Sequence, residues 1–179
     1  MNLRSTAISL LVLRLVSTSS HGQSSNPTPP PELKKWDVWI GDWKLSGTAK
    51  DTPTGPEYKV EWDLHEHRIL GGFFVQVDQI WKGNGQELHA MEILSYDPVK
   101  KIHTVSGFSS DGWTWSLTAT FDKTKTTEEG IATGPDGATV TSRIDWVFSS
   151  DGKTLSGTQQ SEQSGVRWTA FTVKGTKSR

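Results

Sequence analysis

From residue 42 to residue 174 the chain reads as ten short strand-like runs, each closed by a turn signal a few residues long. The runs occupy 42–49, 57–68, 73–81, 87–96, 102–108, 113–121, 126–133, 138–148, 155–162 and 166–174. Between them lie Asp51-Thr52-Pro53-Thr54-Gly55-Pro56, Gly71-Gly72, Gly83-Asn84-Gly85, Asp97-Pro98, Ser110-Asp111-Gly112, Gly134-Pro135-Asp136-Gly137, Ser150-Asp151-Gly152 and Ser164-Gly165. Such clusters favour tight turns over crossover connections. The alternation is cleanest in two runs. Tyr58, Val60, Trp62 and Leu64 oppose Lys59, Glu61, Asp63, His65 and His67, and Trp113, Trp115, Leu117, Ala119 and Phe121 oppose a row of Thr and Ser. Strands with one apolar face, joined by short loops, predict an all-β, up-and-down antiparallel meander. An even number of strands lets the last pair antiparallel with the first. A single closed barrel of about ten strands is expected, with a two-sheet sandwich as the open alternative.

The stretch before the first run predicts how one end is covered. Leu33, Trp36 and Ile40 recur at helical spacing after Pro31, a residue tolerated at a helix start. Gly41 can take the positive φ that ends a helical turn. Beyond it Trp43, Leu45 and Gly47 share a strand face. Trp36, Trp39, Gly41 and Trp43 are therefore the expected closure elements, a short helical turn roofing a large indole. The end of the last strand would lie beside Trp43, where Lys174 could stack its charge on the ring.

A short helix, then Gly41-x-Trp43, then Gly47, resembles the opening of the calycin barrels: lipocalins, fatty-acid-binding proteins and nitrobindins. From Trp36 to Lys174 the chain also resembles an uncharacterised bacterial family of that kind, which opens with a Trp-rich Ile-Gly-x-Trp segment. Ser95-Tyr96-Asp97-Pro98 and Gly134-Pro135-Asp136-Gly137 match its later signposts. The resemblance implies a calycin-like barrel, with a basic residue such as Lys174 against the closing tryptophan.

At 179 residues one domain is the default. A net charge of −1 gives no electrostatic case for nucleic acid or an anionic membrane. Cysteine is absent, which removes disulfides, thiolate nucleophiles and Cys-ligated metals. Residues 1–22 read as a signal peptide: Arg4, an apolar stretch from Ala7 to Val16 interrupted by Arg14, and Ser20-His21-Gly22 before Gln23. That apolar stretch is too short to span a bilayer, so no stable membrane insertion is expected. Residues 23–31 would be a Ser/Pro-rich linker, 32–175 the barrel domain and 176–179 a tail. Export without cysteine suits a bacterial periplasm or exterior.

Candidate chemistry is sparse. His65-x-His67 places two imidazoles on one strand face, and His89, His103 or Glu92 could complete a metal site such as zinc. The pair resembles the His-x-His of cupins. Cupins, however, place a glutamate a few residues later, where this chain has Arg68-Ile69-Leu70-Gly71. Both histidines also fall on the polar, outer face. Nitrobindin-like barrels hold haem by a histidine late in the chain. None follows His103 here, so haem would need His89 or His103. No serine sits in Gly-x-Ser-x-Gly. Glu128 and Glu129 are neighbours on a strand and face opposite ways. No catalytic residue is identified, and no cofactor is expected.

Nine tryptophans supply the strongest signal. Tyr58, Trp62, Phe73, Tyr96, Trp113, Trp115, Trp146 and Trp168 are the candidate wall of a barrel interior. Such a wall either binds a small apolar or aromatic molecule or simply fills the core. The leading expectation is an exported barrel that binds such a molecule. A metal-assisted enzyme using His65 and His67 with His89 or His103, and a structural or interaction protein with a solid barrel, are the alternatives. Oligomeric state is not legible.

Overall fold

The computed structural model describes residues 27–178. Ten strands form one closed antiparallel barrel: β1 (Gly41–Ala49), β2 (Tyr58–Ile69), β3 (Phe74–Gly83), β4 (Gln86–Asp97), β5 (Ile102–Ser109), β6 (Thr114–Asp122), β7 (Lys125–Thr133), β8 (Thr139–Phe148), β9 (Thr154–Gln163) and β10 (Val166–Lys177). Every strand pairs with its sequence neighbours, and β1 also pairs with β10. Closure leaves no open edge for another chain to extend. Alternation sets the inner face: β8 buries Val140, Ser142, Ile144, Trp146 and Phe148 and exposes most of the residues between them. No helix among the described residues is long and apolar enough to cross a membrane.

Residues Pro31–Val38 form a 3-10 helix across the lower end. Three residues per turn put Leu33, Trp36 and Trp39 in one inward row. All three are buried, whereas Ile40, the position that α-helical spacing selects, is only partly buried. Trp36 is fully buried, donates to the Ser95 carbonyl at 3.3 Å and meets Phe121 edge-on at 4.8 Å. Trp43 donates back to the Trp39 carbonyl at 2.7 Å. Gly41 turns the chain into β1 at φ 130°, where a side chain would be strained.

The lysine at this seam is Lys177, not Lys174. β10 continues to Lys177, so Trp43 is paired with Lys177 and Ser46 with Lys174. The Lys177 ammonium lies 5.0 Å from the centre of the Trp43 ring and donates to the Val38 carbonyl at 3.2 Å, tying the helix to the last strand. Lys174 points outward from the barrel wall and is exposed. The proposed signal peptide, 1–22, lies outside the described residues.

Candidate functional site

The barrel is not filled. A cavity of about 260 Å³ runs along its axis. Trp39, Glu66 and Leu94 lie toward the helix-covered end, and Leu88, Ala90, Ser109 and Ala132 toward the opposite, upper end. Six aromatic rings line it: Trp39, Trp62, Trp81, Trp115, Trp146 and Phe171. Two pairs meet edge-on, Trp39 against Trp146 at 5.3 Å and Trp62 against Phe171 at 5.3 Å.

The expected wall divides into three groups. Trp62, Trp115 and Trp146 line the cavity. Tyr58, Trp113 and Trp168 sit at the upper rim, outside the lining. The Tyr58 hydroxyl donates to Asp51, Trp113 packs over Gly134, and Trp168 donates to the Lys50 carbonyl at 3.1 Å. A bulge in β10 between Thr169 and Phe171 shifts the register there and places Phe171 in the lining. Phe73 and Tyr96 belong to the lower end. Phe73 caps the Leu70–Gly72 turn, and Tyr96 meets His103 at a tilt, ring centres 4.9 Å apart.

Three carboxyl groups share the cavity with these rings: Glu66 from β2, Glu92 from β4 and Glu128 from β7. Each follows from strand parity, Glu66 being next in the series Val60, Trp62, Leu64. The indoles hold two of them. Trp115 donates to Glu92 at 2.7 Å and Trp146 to Glu128 at 3.3 Å. Trp62 donates to the Gln79 carbonyl oxygen at 3.1 Å. Gln159 donates to Ser142 at 3.0 Å and Ser161 at 2.9 Å.

Glu66 is 1% exposed, and neither of its carboxyl oxygens has a hydrogen-bond partner. The buried Trp39 indole N–H is likewise unpartnered. Buried polar groups are nearly always satisfied, so these two mark places a bound molecule or water would complete. Burial raises the Glu66 pKa far above the carboxylate range. The negative charges of Glu92 and Glu128 add to that, and the Lys177 ammonium opposes it. Burial also pushes Glu92 up to about 7, against the hydrogen bonds from Trp115 and Gln79. Glu128 rises to about 8 through burial and the charge of Glu92, against the Trp146 hydrogen bond. Among the described residues no Lys, Arg or His lines the cavity.

The histidines do not converge. His65 pairs with Asp42 at 2.5 Å on the outer face of β2, and His89 pairs with Glu87 at 3.1 Å on the outside of β4. His67 shares the outer face with His65, while His103 binds the Glu32 carbonyl at 3.0 Å under the helix. Among the described residues no group of three or more His, Asp or Glu side chains is placed to hold a metal ion. Glu92, the carboxylate considered beside them, faces inward on the other side of the wall. Glu129 faces outward and pairs with Arg143.

No curated protein matches the chain. A family model described as a protein of unknown function, DUF1579, matches residues 29–174, which takes in the helical cover, all of β1 to β9 and most of β10. The chain therefore belongs to the DUF1579 family.

Proposed function

We propose that this protein is an exported, calycin-like carrier that binds a small, largely aromatic or apolar molecule inside its barrel. The observation that carries the reading is the axial cavity, walled by six aromatic rings, with Glu66 and the Trp39 N–H left unpartnered in it. A binding site is typically a mostly apolar concavity with a few polar groups that orient the ligand. A core evolved only for packing would close over such a space and leave no carboxyl inside it, because burying an unpartnered polar group costs about 1–3 kcal/mol. The cavity sits below the roughly 300–1,000 Å³ usual for drug-sized ligands, so the occupant is small. The N-terminal signal-like segment supports export.

Native mass spectrometry tests this on the mature protein, purified from its own host without added ligand. A mass excess lost on denaturation supports the carrier. A bare chain mass, with the Trp115→Ala variant equally bare and equally stable, favours a barrel that carries nothing. The mass of the bare chain also reports whether the chain begins at Gln23.

A further inference from the structure

Building on the carrier reading, we propose that the occupant is an organic cation: a protonated or quaternary amine on a small apolar body. Three observations converge on that class. The cavity holds three carboxyls and no basic side chain. Glu66, almost wholly buried, offers two oxygens that nothing among the described residues satisfies. Trp39, Trp62, Trp81, Trp115 and Trp146 contribute indoles to the lining, and an indole π face attracts a desolvated ammonium.

An anionic ligand would add charge beside Glu66, Glu92 and Glu128. A neutral apolar ligand would fit the rings but leave Glu66 without a counter-charge. A cation does what the carboxyls need. In the empty barrel their mutual repulsion and burial favour protonated forms. An ammonium group takes the place of those protons, leaving a carboxylate facing a counter-charge. The charged groups around Glu66 are Glu92 from β4, Glu128 from β7 and the Lys177 ammonium at the end of β10. Lys177 is engaged by the Val38 carbonyl and the Trp43 ring, and a single cation cannot balance three carboxylates.

Binding is therefore linked to proton release, and affinity for a cation rises with pH as the carboxyls ionise. The indoles have a second part here. Trp115 and Trp146 fix Glu92 and Glu128 against the wall, which leaves Glu66 at the closed end as the free anchor. A ligand with its ammonium at Glu66 would place its apolar body between Trp62, Trp115 and Trp146.

The test is a matched-shape titration of the mature protein, followed by tryptophan fluorescence. The probes are phenyltrimethylammonium, its neutral isostere tert-butylbenzene, and benzoate. The cation should bind at least about tenfold more tightly than the isostere, and weaken by about tenfold or more on lowering the pH from about 8.5 to 5.5. Benzoate should not bind. Glu66→Gln, nearly isosteric with the protonated acid, should abolish the preference while the thermal transition stays cooperative. Equal binding of cation and isostere overturns the cation proposal and leaves the carrier reading standing. Binding of neither probe also overturns it, while native mass spectrometry still decides whether the barrel carries a molecule of another kind.

Discussion

The Trp146 indole lies where a side chain on Gly157 would be, and Trp115 stands in the same relation to Gly107. In both cases the glycine is the cross-strand partner of the tryptophan. The missing Cβ lets each ring lie against the neighbouring strand with its N–H reaching Glu92 or Glu128. Gly157→Ala should therefore push the Trp146 ring off its shelf. We expect a loss of about 1–3 kcal/mol in urea unfolding, the usual cost of overpacking. An unchanged midpoint would mean that the ring is not held there. Much at this scale was legible and some was not. Parity along β2 and β7 already places Glu66 and Glu128 inside, but a search for paired carboxylates considers Glu128 only with its neighbour Glu129. Three carboxyls from three separated strands are invisible to any local motif.

Among the elements, the N-terminal helix and the end of β10 lock each other. Trp36 fills the lower opening, and Lys177 bridges Trp43 and the Val38 carbonyl. Trp36→Ala should cost about 3–5 kcal/mol, as for a buried tryptophan emptied to a cavity. Lys177→Met, which keeps most of the stem packing, should cost about 0.5–1 kcal/mol or less. Equilibrium denaturation of both variants checks the ranking; a larger loss in Lys177→Met would place the seam's strength in the ion rather than in packing. The order and number of strands follow from turn chemistry and alternation, so β7 and β9 form despite their thin apolar content. The length of β10 does not follow. Lys174, Gly175, Thr176 and Lys177 carry no pattern that says where pairing stops, so the sequence points to Lys174 where the fold puts Lys177 against Trp43. The β10 bulge is equally silent in the sequence, since it arises from fitting a twisted strand to its neighbours.

For the whole molecule, the interior carboxyls set the pH dependence of folding. Their pKa values are raised in the folded barrel and ordinary in the unfolded chain, so the fold binds more protons between the two. For Glu92 and Glu128, stability from this source is fully present below the unfolded value, about 4.3, and is lost as pH rises through about 7 and about 8 respectively. The empty protein should lose on the order of a few kcal/mol between about pH 5 and pH 8.5. Urea midpoints across that range measure it. Glu128→Gln should flatten the slope and raise stability at the alkaline end. A wild-type midpoint that climbs toward pH 8.5 would contradict the placement of these groups. The global closure was readable because an even count of strands allows the first and last to pair antiparallel. Whether the interior is hollow was not readable, since the same aromatic residues fill a solid core or line a cavity.

Whether the barrel interior receives a ligand can be read from the indole N–H signals of the nitrogen-labelled protein. Each of the nine tryptophans reports from its own place. On titration with phenyltrimethylammonium or tert-butylbenzene, saturable shifts are expected at Trp62, Trp115 and Trp146 with either probe, and little change at Trp113 and Trp168 on the rim. Saturable shifts confined to the rim would place binding outside the barrel and overturn the carrier reading.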